Sequence, residues 1–165
     1  MTYNGAMNTP LHPMPEIPTD DHPGAFGAVR THDIHTGVDL YCSEGDLVYA
    51  MEPGLVVGVC DFTGVAAGSP WWNDTQAILI EGADGVTLYG EVDALVSPGD
   101  LVYAGQLIAF VKRVLVKDKG RPMDMLHLER YEPGYRGTGE IWHLGAPKPD
   151  SLVNPTKYIL DSRFT

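Results

Sequence analysis

Ser43-Glu44-Gly45-Asp46-Leu47-Val48-Tyr49-Ala50 recurs later as Ser97-Pro98-Gly99-Asp100-Leu101-Val102-Tyr103-Ala104, with one position changed. Each copy reads as a glycine turn running into a strand, because glycine accepts turn geometry and Leu-Val-Tyr favours extended backbone. Each copy is followed by a second glycine turn and strand: Pro53-Gly54-Leu55-Val56-Val57 after the first, Gly105-Gln106-Leu107-Ile108 after the second. The shared Tyr-Ala ending argues against chance recurrence of a common turn. A duplicated turn–strand–turn–strand unit predicts a mainly β domain, an antiparallel sandwich or barrel-like fold made of two related halves.

Outward from the repeat, further strands are expected at residues 36–41, 77–81, 86–89 and 125–131. Gly82-Ala83-Asp84-Gly85 separates two of them as a hairpin signal. No segment sustains a 3.6-residue apolar period, and only the tail near Asn154-Pro155-Thr156 predicts a helical turn, with Pro155 near its first position. Residues 1–29 are rich in Pro, Gly, Asn and His and read as an extended arm lying on a domain of residues 30–165.

The chain has 165 residues, 44% apolar and 20% charged, with 19 glycines and 13 prolines, which suits one soluble domain of short strands and turns. A net charge of −11 repels nucleic acid and anionic membrane, so neither is an expected partner. No apolar run approaches the roughly 18 residues that span a bilayer, so no membrane insertion is expected. The first fifteen residues have neither a basic stretch nor an apolar core, so no secretion signal is read there. The expected location is the cytoplasm, or a cell wall reached by lysis or in a phage particle. Cys42 and Cys60 form no CxxC pair and read as buried free thiols.

His35-Thr36-Gly37-Val38-Asp39 places an imidazole and a carboxylate four residues apart, on one face of an extended strand. Gly37, between them, leaves room for an ion or serves a bend. In Met125-Leu126-His127-Leu128-Glu129-Arg130-Tyr131, the leucines read as core, which leaves His127 and Glu129 on the opposite face. Each pattern has a plainer reading by itself, because His and Asp are common on surfaces and a strand histidine is usually structural. Together, two nitrogens and a carboxylate oxygen make a three-ligand zinc set with the fourth tetrahedral position open, the arrangement of catalytic rather than structural zinc.

The stretch HTGVDLYCSEGDLVYAMEPGLVVGV resembles the lysostaphin/LytM-type zinc endopeptidases, whose ligand motif is His-x-Gly-x-Asp before a glycine-turn strand. LYGEVDALVSPGDLVYAGQLIA resembles their Tyr-Gly-His segment and the glycine-spaced run after it; MLHLE resembles His-x-His-x-Glu, and VNPTKYIL the closing Asp-Pro-x-x-Tyr-Leu. These matches keep their order from about residue 30 to residue 160. The resemblance implies a duplicated β metallopeptidase domain, zinc on His35, Asp39 and His127, and a peptide substrate, typically from peptidoglycan.

Two family histidines that do not bind the metal are replaced, one by Glu91 and one by Met125. Met125 cannot exchange a proton, and acid–base help is typically worth about 10²–10⁴ in rate. Glu91 reads as a general base, a ligand or neighbour of the metal, or a solvated edge residue. Tyr89, two residues before it, would share its face on a regular strand and donate to an oxyanion, unless it packs in the core. Glu129 is a candidate to orient His127. His32 and His143 are candidates for approach to the metal, and Trp71, Trp72 and Trp142 for lining a groove or for packing in the core or at its rim. His12 and His22, in the arm, read as solvated. The first expectation is a zinc-binding domain that has lost catalysis and binds a protein partner or cell-wall peptide, as degenerate relatives of the family do. The alternative is an active zinc endopeptidase with Glu91 as base.

Overall fold

The computed structural model describes residues 7–117 and 123–164, so residues 1–6 of the expected arm lie outside it. The repeat sets the architecture. Its first copy supplies β3 (Leu47–Tyr49) and runs into β4 (Gly54–Thr63); its second supplies β7 (Leu101–Val102) and runs into β8 (Leu107–Val111). The copies exchange partners: β3 pairs with β8, and β4 pairs with β7. The two turns are built alike. Ser43 N–H donates to Asp46 Oδ2 and Ser97 N–H to Asp100 Oδ2, both at 2.9 Å. Gly45 and Gly99 take φ of 89° and 95°, a region that favours glycine.

The remaining long strands are β2 (Val38–Tyr41), β5 (Thr75–Glu81), β6 (Val86–Ala94) and β9 (Met125–Tyr131). With β11 (Leu152–Val153) they complete a nine-stranded sheet whose pairings are all antiparallel. β1 (Asp33–Ile34) and β10 (Trp142–His143) form a separate small ladder. The expected hairpin joins β5 to β6, with Gly82 N–H donating to Gly85 O. The one α-helix among the described residues is α1 (Thr156–Asp161), with Pro155 as its N-cap. No helix there is long and apolar enough to cross a membrane.

β6 is central to the site. Its first half, through Gly90, pairs with β9; its second, from Val92, pairs with β8. Glu91 sits at the changeover with φ 66°, opposite a register shift in β5. A bulge of this kind breaks side-chain alternation. Tyr89 is therefore core: it is 1% exposed, and its hydroxyl accepts the Met51 N–H at 2.9 Å. This corrects the expectation that Tyr89 shares a face with Glu91 and donates to an oxyanion.

The arm is part of the fold from Met7 onward. Leu11 is buried in the main core beside Val48, Leu40 and Leu126, and Pro10 O accepts the Tyr49 N–H. Cys42 and Cys60 are free but only half-buried, and burial together with Asp46 pushes the Cys42 thiol up to about 12.

Candidate metal centre

His35, Asp39 and His127 converge, all buried. Asp39 and His127 face each other across the β2–β9 ladder. His35 arrives differently from the expected strand alternation: β2 begins only at Val38, and the chain bends at Gly37. A Cβ on Gly37 would stand 2.2 Å from Leu128 O and 2.9 Å from His127 Cε1. The missing side chain makes room for β9 and the His127 ring.

Asp39 Oδ1 lies 2.8 Å from His127 Nδ1 and 3.2 Å from His35 Nε2, and the two nitrogens are 3.3 Å apart. Zinc with tetrahedral bonds of about 2.0–2.1 Å holds its ligand atoms roughly 3.3 Å apart, so the donor set has the size of that ion. The outer nitrogens strengthen the fit. His35 Nδ1 is 2.9 Å from Ala25 O, an acceptor, so that nitrogen carries the proton and Nε2 offers a lone pair. His127 Nε2 is 2.7 Å from Glu129 Oε2 and donates there, leaving Nδ1 turned inward. Two lone pairs and a carboxylate oxygen then face one point, which calls for a cation or an extra proton.

The titrations follow. Burial alone would lower the His127 pKa, but Asp39 and Glu129 overcome it and hold it well above the ordinary imidazole value. Burial would raise Asp39, but hydrogen bonds from His127 and His35 hold its carboxyl well below the ordinary carboxylate range. Glu129 is itself held in place: Thr36 Oγ1 donates to Oε2 at 2.8 Å, and the Tyr131 hydroxyl donates to Oε1.

Glu91 lies outside the three-ligand cluster but close enough to feel it. Burial and the Asp39 carboxylate push its carboxyl up to about 8. A groove of about 470 Å³ opens beside the triad, lined by His35 and His127 with Phe62, Trp72, Ile141 and Trp142 among its walls. Trp71 is exposed, with its ring centroid 5.8 Å from that of Trp72. His32 and His143 are exposed and do not line the groove, and His143 pairs with Asp33 in the β1–β10 ladder. His12 and His22 are also exposed.

Residues 33–136, more than half of the chain, match peptidase family M23. The chain belongs to peptidase family M23. This M23 domain is similar to solved structures that share its fold. A zinc-containing peptidase from Vibrio cholerae is 25% identical, with a TM-score of 0.53 over 76% of this chain and 36% of that one. The catalytic domain of the prophage-encoded M23 protein EnpA from Enterococcus faecalis, as a variant, is 24% identical, with a TM-score of 0.52 over 83% and 86%. The antimicrobial peptidase lysostaphin from Staphylococcus simulans is 15% identical, with a TM-score of 0.61 over 97% and 56%. The chain thus spans about a third of the Vibrio protein and about half of lysostaphin. No curated protein matched by sequence.

Sequence reasoning missed two parts of this M23 site. Ala25 contributes only a backbone carbonyl, which leaves no mark in a side-chain pattern. Arg30 Nη2 donates to Asp39 Oδ2 at 3.2 Å and to Pro23 O at 3.1 Å, and an isolated arginine just past the arm carries no motif.

Proposed function

We propose that this M23 domain is a zinc-dependent endopeptidase acting on peptidoglycan peptides, with His35, Asp39 and His127 as ligands and Glu91 as general base. The observation that carries this reading is the triad with its outer nitrogens occupied, so that three electron-rich atoms face one point beside an open groove. Bound zinc would act as a Lewis acid and lower the pKa of water to about 7. Glu91 stands outside the ligand cluster yet feels Asp39 and His127, which supports proton transfer over ligation. A cation in the triad draws a neighbouring carboxyl pKa downward, so Glu91 would be ionised and ready to take a proton near neutral pH. His35 and His127 bind, while Ala25 O, Glu129 and Thr36 orient them. The substrate class rests on the resemblance to the lysostaphin/LytM type.

Met125 favours a second reading: a domain that binds zinc and a wall peptide or protein partner without turnover. Hydrolysis of purified peptidoglycan and short Gly- and Ala-containing peptides by zinc-loaded protein separates the two, run beside His127→Ala and Glu91→Gln. Cleavage by the wild type and loss of it in both variants is expected. No cleavage over days, with zinc bound and the fold intact, would leave the binding reading in its place.

A further inference from the structure

Arg30 is the only lysine or arginine that lines the groove among the described residues. Its side chain is 45% exposed. A guanidinium carries five N–H donors, no acceptor and a permanent charge. The bonds to Asp39 Oδ2 and Pro23 O use both protons of Nη2. The remaining three N–H groups, on Nη1 and Nε, have no partner among the described residues. The hydroxyls of Thr36 and Thr63 at the groove are already engaged, with Glu129 and with Asn73 O. The same Asp39 carboxylate that turns Oδ1 into the triad turns Oδ2 to Arg30, so the free donors are held beside the ligands by two anchors.

We propose that Arg30 is a catalytic residue that binds the negative oxygen of the tetrahedral species formed in peptide hydrolysis. This rests on the peptidase reading above. The water oxygen bonds to the peptide carbonyl carbon, and the C=O π pair moves onto the carbonyl oxygen. The water proton passes to the Glu91 carboxylate. Collapse re-forms the C=O bond and breaks the C–N bond, with that proton delivered to the leaving nitrogen. Charge peaks on the carbonyl oxygen at the tetrahedral stage. A fixed cation with free N–H groups stabilises that stage more than the neutral substrate. Charge-assisted bonds of this kind are about twice as strong as neutral ones. Met125 offers no donor and the Tyr89 hydroxyl is tied up in the core, whereas Arg30 brings to the groove a permanent charge held on the Asp39 carboxylate.

Inorganic phosphate, a tetrahedral oxyanion, tests this without requiring turnover. Zinc content and phosphate affinity would be measured by calorimetry on wild type, Arg30→Gln and Arg30→Lys, each saturated with zinc. One equivalent of zinc in all three is expected, with phosphate affinity down about ten-fold or more in Arg30→Gln and partly kept in Arg30→Lys. On any peptide that is cleaved, Arg30→Gln should lower kcat by about 10²–10³ with KM little changed. Equal phosphate affinity in zinc-saturated wild type and Arg30→Gln, or no phosphate binding by the wild type, would overturn the proposal while leaving the ligand assignment intact. A variant that weakens only zinc would overturn it too, reducing Arg30 to a support for Asp39. Wild type holding less than one equivalent of zinc would sink the ligand assignment itself and this proposal with it.

Discussion

Each histidine of the triad has its inner nitrogen available because its outer nitrogen is occupied, His35 by Ala25 O and His127 by Glu129. Glu129→Gln keeps the shape of that support and removes its charge. Zinc affinity is expected to fall about 10- to 100-fold, read by competition with a chromogenic chelator. Glu91 makes a prediction of a different kind. In the fold its carboxyl titrates at about 8, against an ordinary 4.5. Between those values the folded chain holds a proton that the unfolded chain has released, so stability falls as pH rises. His127, raised above its ordinary 6.5, has the same sign from that pH upward. Asp39, depressed from 3.8, acts only in acid, where its stabilisation is lost as pH falls. In chelator-treated protein the urea midpoint should therefore drop between about pH 5 and pH 8, and Glu91→Gln should flatten part of that drop. Identical slopes in the two proteins would refute the assignment.

The arm brings three consecutive carbonyls to the site. Pro23 O accepts from Arg30, Gly24 O from the Asp39 N–H, and Ala25 O from His35 Nδ1. The family match begins only at residue 33, so this support comes from outside it. The arm is anchored by Leu11, 3% exposed in the main core. Leu11→Ala should cost about 2–5 kcal/mol in urea unfolding, the range for a leucine truncated in a packed interior. A cost below about 0.5 kcal/mol, typical of surface positions, would show the arm to be only laid on the domain. Strand elements were legible because Leu126 and Leu128 alternate with His127 and Glu129, and alternation assigns faces. At Glu91 the same rule failed: a positive φ there separates Tyr89 from Glu91, and nothing in Leu-Tyr-Gly-Glu-Val announces it.

Across the whole molecule, a buried ion pair joins distant parts of the chain. Arg130 Nη1 donates to Glu52 Oε1 at 2.9 Å and to Thr87 Oγ1 at 2.7 Å. The Tyr158 hydroxyl, on the C-terminal helix, donates to the same Glu52 oxygen at 2.7 Å, and the Tyr158 ring lies 4.0 Å from the Arg130 guanidinium carbon. Glu52→Ala strands the arginine charge in the interior. The expected loss is about 3–5 kcal/mol by urea unfolding. The repeat, the strand periods and the His-x-Gly-x-Asp spacing by themselves determined a duplicated β fold and three candidate ligands, because those are local patterns with fixed geometric periods. Only tertiary structure decided the exchanged pairing of the repeats, the core position of Tyr89, and the supports from Ala25 and Arg30. These depend on a bulge, a backbone carbonyl and contacts between segments far apart in the chain, and such features have no period along a sequence.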